Sequence, residues 1–218
     1  GSILKALTMA AGLDSGAVTR KTTFNDPGCK TLDKKTFCNF DKKSYGTKVP
    51  MQLVLSKSLN TGAAFVVEKM GNSQFRDYMF SYGLASTTGV DLPNEGKSLV
   101  SNLSVPRDLE YAQASFGQGV AFTPIQMVRA LSVLANGGYL ITPHLVKKID
   151  YELGITKDVT PPKGKQVFKA GTTEEISRML TEVVDTALRD GKVRLDKYSV
   201  AAKTGTAQIA NPAGGGYF

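Results

Sequence analysis

Apolar positions at the start of this chain recur with a helical period. Leu4, Leu7, Thr8 and Ala11 share one face, which predicts a helix from Ser2 to about Ala11, ended by Gly12. The stretch from Asp14 to Lys48 is polar and holds Gly and Lys, so it predicts short strands between turns. Pro50 opens a helical run, PMQLVLSKS. A second helix follows Ser58-Leu59-Asn60 and passes through Ala64, Val67 and Met70 to Gly71. A third, NSQFRDYMFSYG, has Asn72 placed as N-cap and Gly83 as its stop.

The middle of the chain begins with TGVDLPNEGKSLVS, a loop dense in turn formers. In TPIQMVRALSVLANGG, Thr123 is placed to cap a helix, Pro124 to start it and Gly137-Gly138 to end it. Ile125, Val128, Leu131 and Leu134 form its apolar stripe. Residues 139–168 predict strands and turns. Thr172 and Glu175 have the spacing of a capping box ahead of an amphipathic helix. That helix carries Ile176, Met179, Leu180, Val183, Val184, Ala187 and Leu188 on one face. A strand is expected over residues 198–210, and NPAGGGYF reads as a turn into a further strand. There is no internal repeat.

Composition narrows the picture. No run reaches the roughly 18 apolar residues of a membrane span. The net charge of +8 favours an anionic partner such as a wall polymer, lipid head groups or nucleic acid. The sequence has no zinc-finger or RNP motif, so nucleic acid is not expected. Lysines between residues 30 and 48 read as a solvated loop. Two cysteines and one histidine cannot supply a usual four-ligand zinc site, and no metal or other cofactor is expected. Cys29 and Cys38 form a local disulfide in an oxidising compartment, or else stay as thiols; the disulfide is the expectation. Histidine-based catalysis would rest wholly on His144, which reads as structural or surface. Lysine is the next candidate base.

Three short motifs then stand out by their order. Ser2-x-x-Lys5 begins the first helix, Ser58-x-Asn60 lies between two helices, and Lys203-Thr204-Gly205-Thr206 lies on the expected terminal strand. Gly1-Ser2 alone would equally fit a cloning scar. Together, the three motifs are the set found in penicillin-binding proteins and serine β-lactamases. The chemistry needs these residue types. A serine hydroxyl is a weak nucleophile until a base takes its proton. A lysine at i+3 lies on the same helix face and acts as that base once burial or a second cation lowers its pKa. Lys203 is placed to supply the second charge. The N–H groups of Ser2 and of the strand are expected to form an oxyanion hole, worth about 3–4 kcal/mol per donor.

The chain resembles the transpeptidase domain of class B penicillin-binding proteins. GSILKALTMAAGLDSG, TTGVDLPNEGKS, ASFGQGVAFTPIQMVRALSVLANGGYLITPHLV and VAAKTGTAQIA carry the likeness, which covers nearly all of residues 1–218 apart from the Cys29–Lys48 loop. The resemblance implies an α/β (α+β) fold, a helical subdomain with an antiparallel sheet. It implies Ser2 as acylated nucleophile, Lys5 as base, Ser58 as proton relay, Asn60 holding the donor amide and Lys203 setting local charge. Thr204, Gly205 and Thr206 would bind the terminal carboxylate of a D-Ala-D-Ala stem, with the Thr206 N–H in the oxyanion hole. Implied ligands are peptidoglycan stem peptides and β-lactams. Implied partners are a glycosyltransferase and division or elongation proteins, at the outer face of a bacterial cytoplasmic membrane. The family's domain has strands before the first helix and strands and a helix after KTGT, so the chain is expected to be part of a longer, membrane-anchored protein. Two other readings stay open. One is a D,D-carboxypeptidase or serine β-lactamase, with Glu68, Glu95 or Glu110 available for deacylation. The other is a non-catalytic penicillin sensor or a fragment that only binds wall polymer.

Overall fold

A computed structural model describes residues 1–207. Its centre is α1 (Leu4–Asp14), which is buried from Leu4 through Gly12, Lys5 and Thr8 included. A helix covered on all sides must be built of small and apolar residues, and LKALTMAAG is. Gly12 therefore does not end the helix as expected. A Cβ there would lie 2.5 Å from Val66 Cγ1 and 2.9 Å from Val18 Cγ2, so the missing side chain admits those two neighbours. The stop comes at Ser15-Gly16, where Gly16 takes a φ of +75°.

β1 (Thr23–Asp26) pairs antiparallel with β4 (Gly46–Pro50), and β2 (Cys29–Leu32) with β3 (Lys35–Cys38). Cys29 and Cys38 face each other in that register and are joined as a disulfide. Of the two states left open by the sequence, this is the bonded one. The hairpin's Phe37 packs with Ala63, Ala64, Leu109, Ala112 and Phe116 in a satellite core.

Next come α2 (Met51–Ser56), α3 (Asn60–Met70) and α4 (Asn72–Ser81). Gly71, not Asn72, holds the N-cap position of α4, and the Asn72 side chain donates to Asp108 instead. A short 3₁₀ turn, Ser101–Ser104, leads to α5 (Asp108–Ser115), which the periodicity did not reveal. α6 (Pro124–Ser132) has the capping box of Thr123 with Gln126. Its stripe is rotated from the expected one: Val128 is 67% exposed, while Gln126 and Ala130 are buried. Gln126 earns its place by donating to Ser86 O and accepting from Thr123 N–H.

β5 (Tyr139–Leu140) pairs with β8 (Lys165–Gln166), and β6 (Lys148–Asp150) with β7 (Thr156–Asp158). α7 (Ala170–Glu182) runs into a π-helical turn, Val183–Ala187, and buries Ile176, Met179, Leu180, Val183 and Val184 against the core. No capping box forms at Thr172 and Glu175, because both lie inside the helix. Asp14, at the end of α1, takes the Lys169 N–H at 3.0 Å and the Thr172 hydroxyl at 2.8 Å.

The fold is thus mixed helix and antiparallel strand, with four two-stranded sheets among the described residues rather than one larger sheet. Residues 201–207 form no strand, because a strand exists only against a partner and the described residues offer it none. The remainder of the expected 198–210 strand and the NPAGGGYF turn lie outside the described residues. Among the described residues no helix is long and apolar enough to cross a membrane.

Candidate active site

The first turn of α1 is tightened by N–H bonds from Leu4 to Gly1 O at 3.1 Å and from Lys5 to Ser2 O at 3.3 Å. That turn places Ser2 and Lys5 on one face. The Lys5 amine donates to Ser2 Oγ at 3.1 Å, to Ser58 Oγ at 3.0 Å and to Ser58 O at 2.5 Å, which uses all three of its donors. Lys5 is 2% exposed. Burial first, and the charge of Lys203 second, bring its pKa down to about 7.

Ser58 lies in the short link between α2 and α3 with a φ of +55°. That left-handed backbone turns both its carbonyl and its hydroxyl toward Lys5. On the other side Lys203 donates to Ser58 Oγ at 2.9 Å and to Thr204 O at 3.2 Å. Burial lowers the Lys203 pKa to about 8. The Ser58 hydroxyl therefore sits between two amines, and neither makes an ion pair among the described residues.

Asn60 is the first residue of α3, and its NH2 group donates to Cys38 O at 2.7 Å. With the nitrogen committed to a carbonyl, the side-chain oxygen is left as the acceptor. Thr204, Gly205 and Thr206 are exposed. A Cβ on Gly205 would meet the Ile3 side chain at 2.8 Å, so glycine permits that segment to lie against the turn that carries Ser2. The Ser2 N–H, expected in an oxyanion hole, donates to Thr206 O at 3.1 Å.

Other candidates fall elsewhere. His144 is exposed in a loop and makes no bond to the cluster. Glu68 pairs with Lys30, Glu95 accepts from Thr88 and Gly89 N–H groups, and Glu110 pairs with Arg107 and Asn102. None of the three carboxylates bonds to Ser2, Lys5, Ser58 or Lys203. The SFGQG segment acts through its backbone: Ser115 O accepts the Thr8 hydroxyl at 2.8 Å, and Gly117 O accepts from the Gly1 nitrogen at 2.9 Å. A Cβ on Gly117 would fall 2.2 Å from Gly1 O, a contact only glycine allows. Three supporting residues, Asp26, Asn39 and Thr61, escaped the sequence reading. Asp26 stands in DPG, which reads only as a turn.

The chain is similar to known proteins over its whole length. A family model described as Penicillin binding protein transpeptidase domain matches residues 1–218. The chain is 32% identical over 213 residues to Stage V sporulation protein D of Bacillus subtilis, covering 95% of this chain and 32% of that protein. It is 31% identical over 229 residues to peptidoglycan D,D-transpeptidase MrdA of Acinetobacter baumannii, covering 99% of this chain and 34% of that protein. Among solved structures, apo penicillin binding protein 3 of Mycobacterium tuberculosis matches with a TM-score of 0.91 and 27% identity, over 100% of this chain and 50% of that one. The same protein complexed with ampicillin also gives 0.91 at 27% identity, over 100% and 49% of the two chains. The chain belongs to the penicillin-binding-protein transpeptidase family, as a class B transpeptidase domain. It spans about a third of the length of the curated relatives it matches.

Proposed function

We propose that this domain is the acylating site of a peptidoglycan D,D-transpeptidase and a target of β-lactams. The observation that carries the reading is the Lys5 amine, 3.1 Å from Ser2 Oγ and held by burial at a pKa of about 7. A neutral amine at that distance takes the serine proton as the hydroxyl attacks. Ser2 Oγ bonds to the penultimate D-Ala carbonyl carbon, and the carbon–nitrogen bond to the last D-Ala breaks. The proton held by Lys5 passes through Ser58 to the departing nitrogen. An amine from a second stem peptide then attacks the ester, gives up a proton, and releases Ser2 as its hydroxyl. Lys203, Thr204 and Thr206 hold the donor's terminal carboxylate, and Asn60 accepts the donor amide N–H through its free oxygen.

The names of the relatives, among them peptidoglycan D,D-transpeptidases, support this substrate class. The placement of all three glutamates away from Ser2 weighs against a hydrolytic enzyme that activates water. A disulfide at Cys29–Cys38 fits an oxidising compartment, which supports a site of action outside the cytoplasm. Work at that location with a glycosyltransferase and with division or elongation proteins belongs to the same proposal. A fluorescent penicillin tests it. The protein is expected to become covalently labelled and Ser2→Ala to lose the label; a mutant that still labels refutes the assignment.

A further inference from the structure

Asp26 is a fully buried carboxylate that the acyl-transfer chemistry does not use. Among the described residues no cation pairs with it. Its oxygens are satisfied entirely by donors. Oδ1 accepts the Gly28 N–H at 2.9 Å and the Thr61 hydroxyl at 2.6 Å, and Oδ2 accepts the Tyr45 N–H at 3.1 Å. The Asn39 NH2 group reaches the two oxygens at 3.1 and 3.0 Å. Burying a carboxylate is costly, and apolar residues would fill the same volume without that cost.

What the carboxylate adds is direction. With its NH2 held by Asp26 and by Lys43 O at 3.3 Å, the Asn39 amide must turn its oxygen to Thr61, where it accepts the Thr61 N–H at 3.2 Å and meets the Thr61 hydroxyl at 3.1 Å. Thr61 is the second residue of α3, in the turn whose N–H groups find no partner inside the helix. Leu59, at the N-cap, supplies no side-chain cap. Asn39 is therefore the cap of α3, delivered from a distant segment. The neighbouring pair repeats the link, since Asn60 donates to Cys38 O. Residues 38–39 and 60–61 are laced side by side, with Asp26 fixing which way the lacing faces.

We propose that Asp26 is a positioning residue for acylation, orienting the Asn39 amide so that the first turn of α3 presents Asn60 to the donor. This rests on the acyl-transfer reading of Ser2. The experiment compares Asp26→Asn, Thr61→Val and Thr61→Ser with the unchanged protein, using the rate of fluorescent penicillin labelling, its saturation behaviour and its final stoichiometry. Asp26→Asn puts a donor among donors and frees the Asn39 amide to turn. Thr61→Val removes the hydroxyl at nearly constant shape, and Thr61→Ser keeps it.

Asp26→Asn and Thr61→Val are expected to slow labelling at saturating penicillin by about 10- to 100-fold. Final stoichiometry and the circular dichroism of the folded protein should stay unchanged, and Thr61→Ser should label at close to the original rate. A purely structural role would lower the folded fraction and leave the rate of folded molecules alone; that result overturns the proposal, as does a normal rate in Thr61→Val. Should Asp26→Asn fail to fold, the Thr61 pair decides. Ser2→Ala separates the two levels of inference. Labelling that survives it sinks the site itself, whereas Ser2-dependent labelling indifferent to Asp26 and Thr61 sinks only the positioning role.

Discussion

Ser58 is a serine held in a backbone region that costs a non-glycine residue roughly 1–3 kcal/mol. The return is a hydroxyl shared by the amines of Lys5 and Lys203. The two lysines set opposite limbs of a pH profile. Below a pH of about 7 Lys5 is protonated and cannot take the serine proton, so the labelling rate should climb about tenfold per pH unit toward that value. Above a pH of about 8 Lys203 loses the charge proposed to hold the donor carboxylate, so the rate should fall. Rates of penicillin labelling from pH 5.5 to 10, as roughly spaced points, check the bell shape. Lys203→Arg, whose charge does not titrate in that range, should remove the alkaline limb. At this scale the sequence was informative where partners are near in the chain. Ser2 and Lys5 meet because i+3 residues share a helix face. Nothing in the spacing of Asp26, Asn39 and Thr61 marks them as a unit, because only tertiary packing brings them together.

The β2–β3 hairpin is the element that joins the two sides of the site. Its base touches the start of α3 through Cys38 and Asn39. Its turn reaches α5, where Asp33 accepts the Leu109 N–H at 3.1 Å, and its Phe37 packs on Phe116 at a centroid distance of 5.4 Å. The disulfide closes it between Cys29 and Cys38. Loop-closure entropy for so short a loop is worth about 2–3 kcal/mol. Replacing both cysteines by alanine is expected to lower the unfolding free energy by about that amount in urea titrations. The polar stretch holding this hairpin read as a solvated loop with a disulfide across it, whereas the amphipathic face of α7 was legible in the sequence. α5 was not, since DLEYAQAS is buried on more than one side through Leu109, Glu110, Tyr111, Ala112 and Ala114 and so shows no clean stripe. The caps of α3 and α7 were hidden for a related reason. Both come from side chains far away in sequence, while capping rules read only neighbours.

For the whole molecule, the buried lysines link stability to pH with a definite sign. In the unfolded chain both titrate near 10.5, whereas in the folded protein burial holds Lys5 at about 7 and Lys203 at about 8. Between those values and 10.5 the unfolded state binds more protons, so stability rises with pH. Below about pH 7 both states are protonated and the cost of the buried charge is fully present. Urea midpoints should increase from pH 7 to about pH 10, and Lys5→Met should flatten the rise by up to about 4 kcal/mol. Beyond that range Tyr78 and Tyr82, whose burial raises their pKa values, reverse the trend. The net excess of basic residues adds self-repulsion at low pH in the same direction.

The remote caps have a consequence for how this site comes into being. α3 borrows its cap from Asn39, 22 residues away, and the N–H of Lys169, at the N-cap of α7, is taken by Asp14 across 155 residues of chain. In neither helix does the N-cap residue's own side chain cap the first turn. Closing those long loops is expected to accompany the ordering of Asn60. In hydrogen exchange, the amide of Thr61 would follow the opening of the whole domain instead of the fraying of one helix end. The proposed reactive centre is therefore expected to become ordered together with the fold that surrounds it, not on a scaffold formed beforehand.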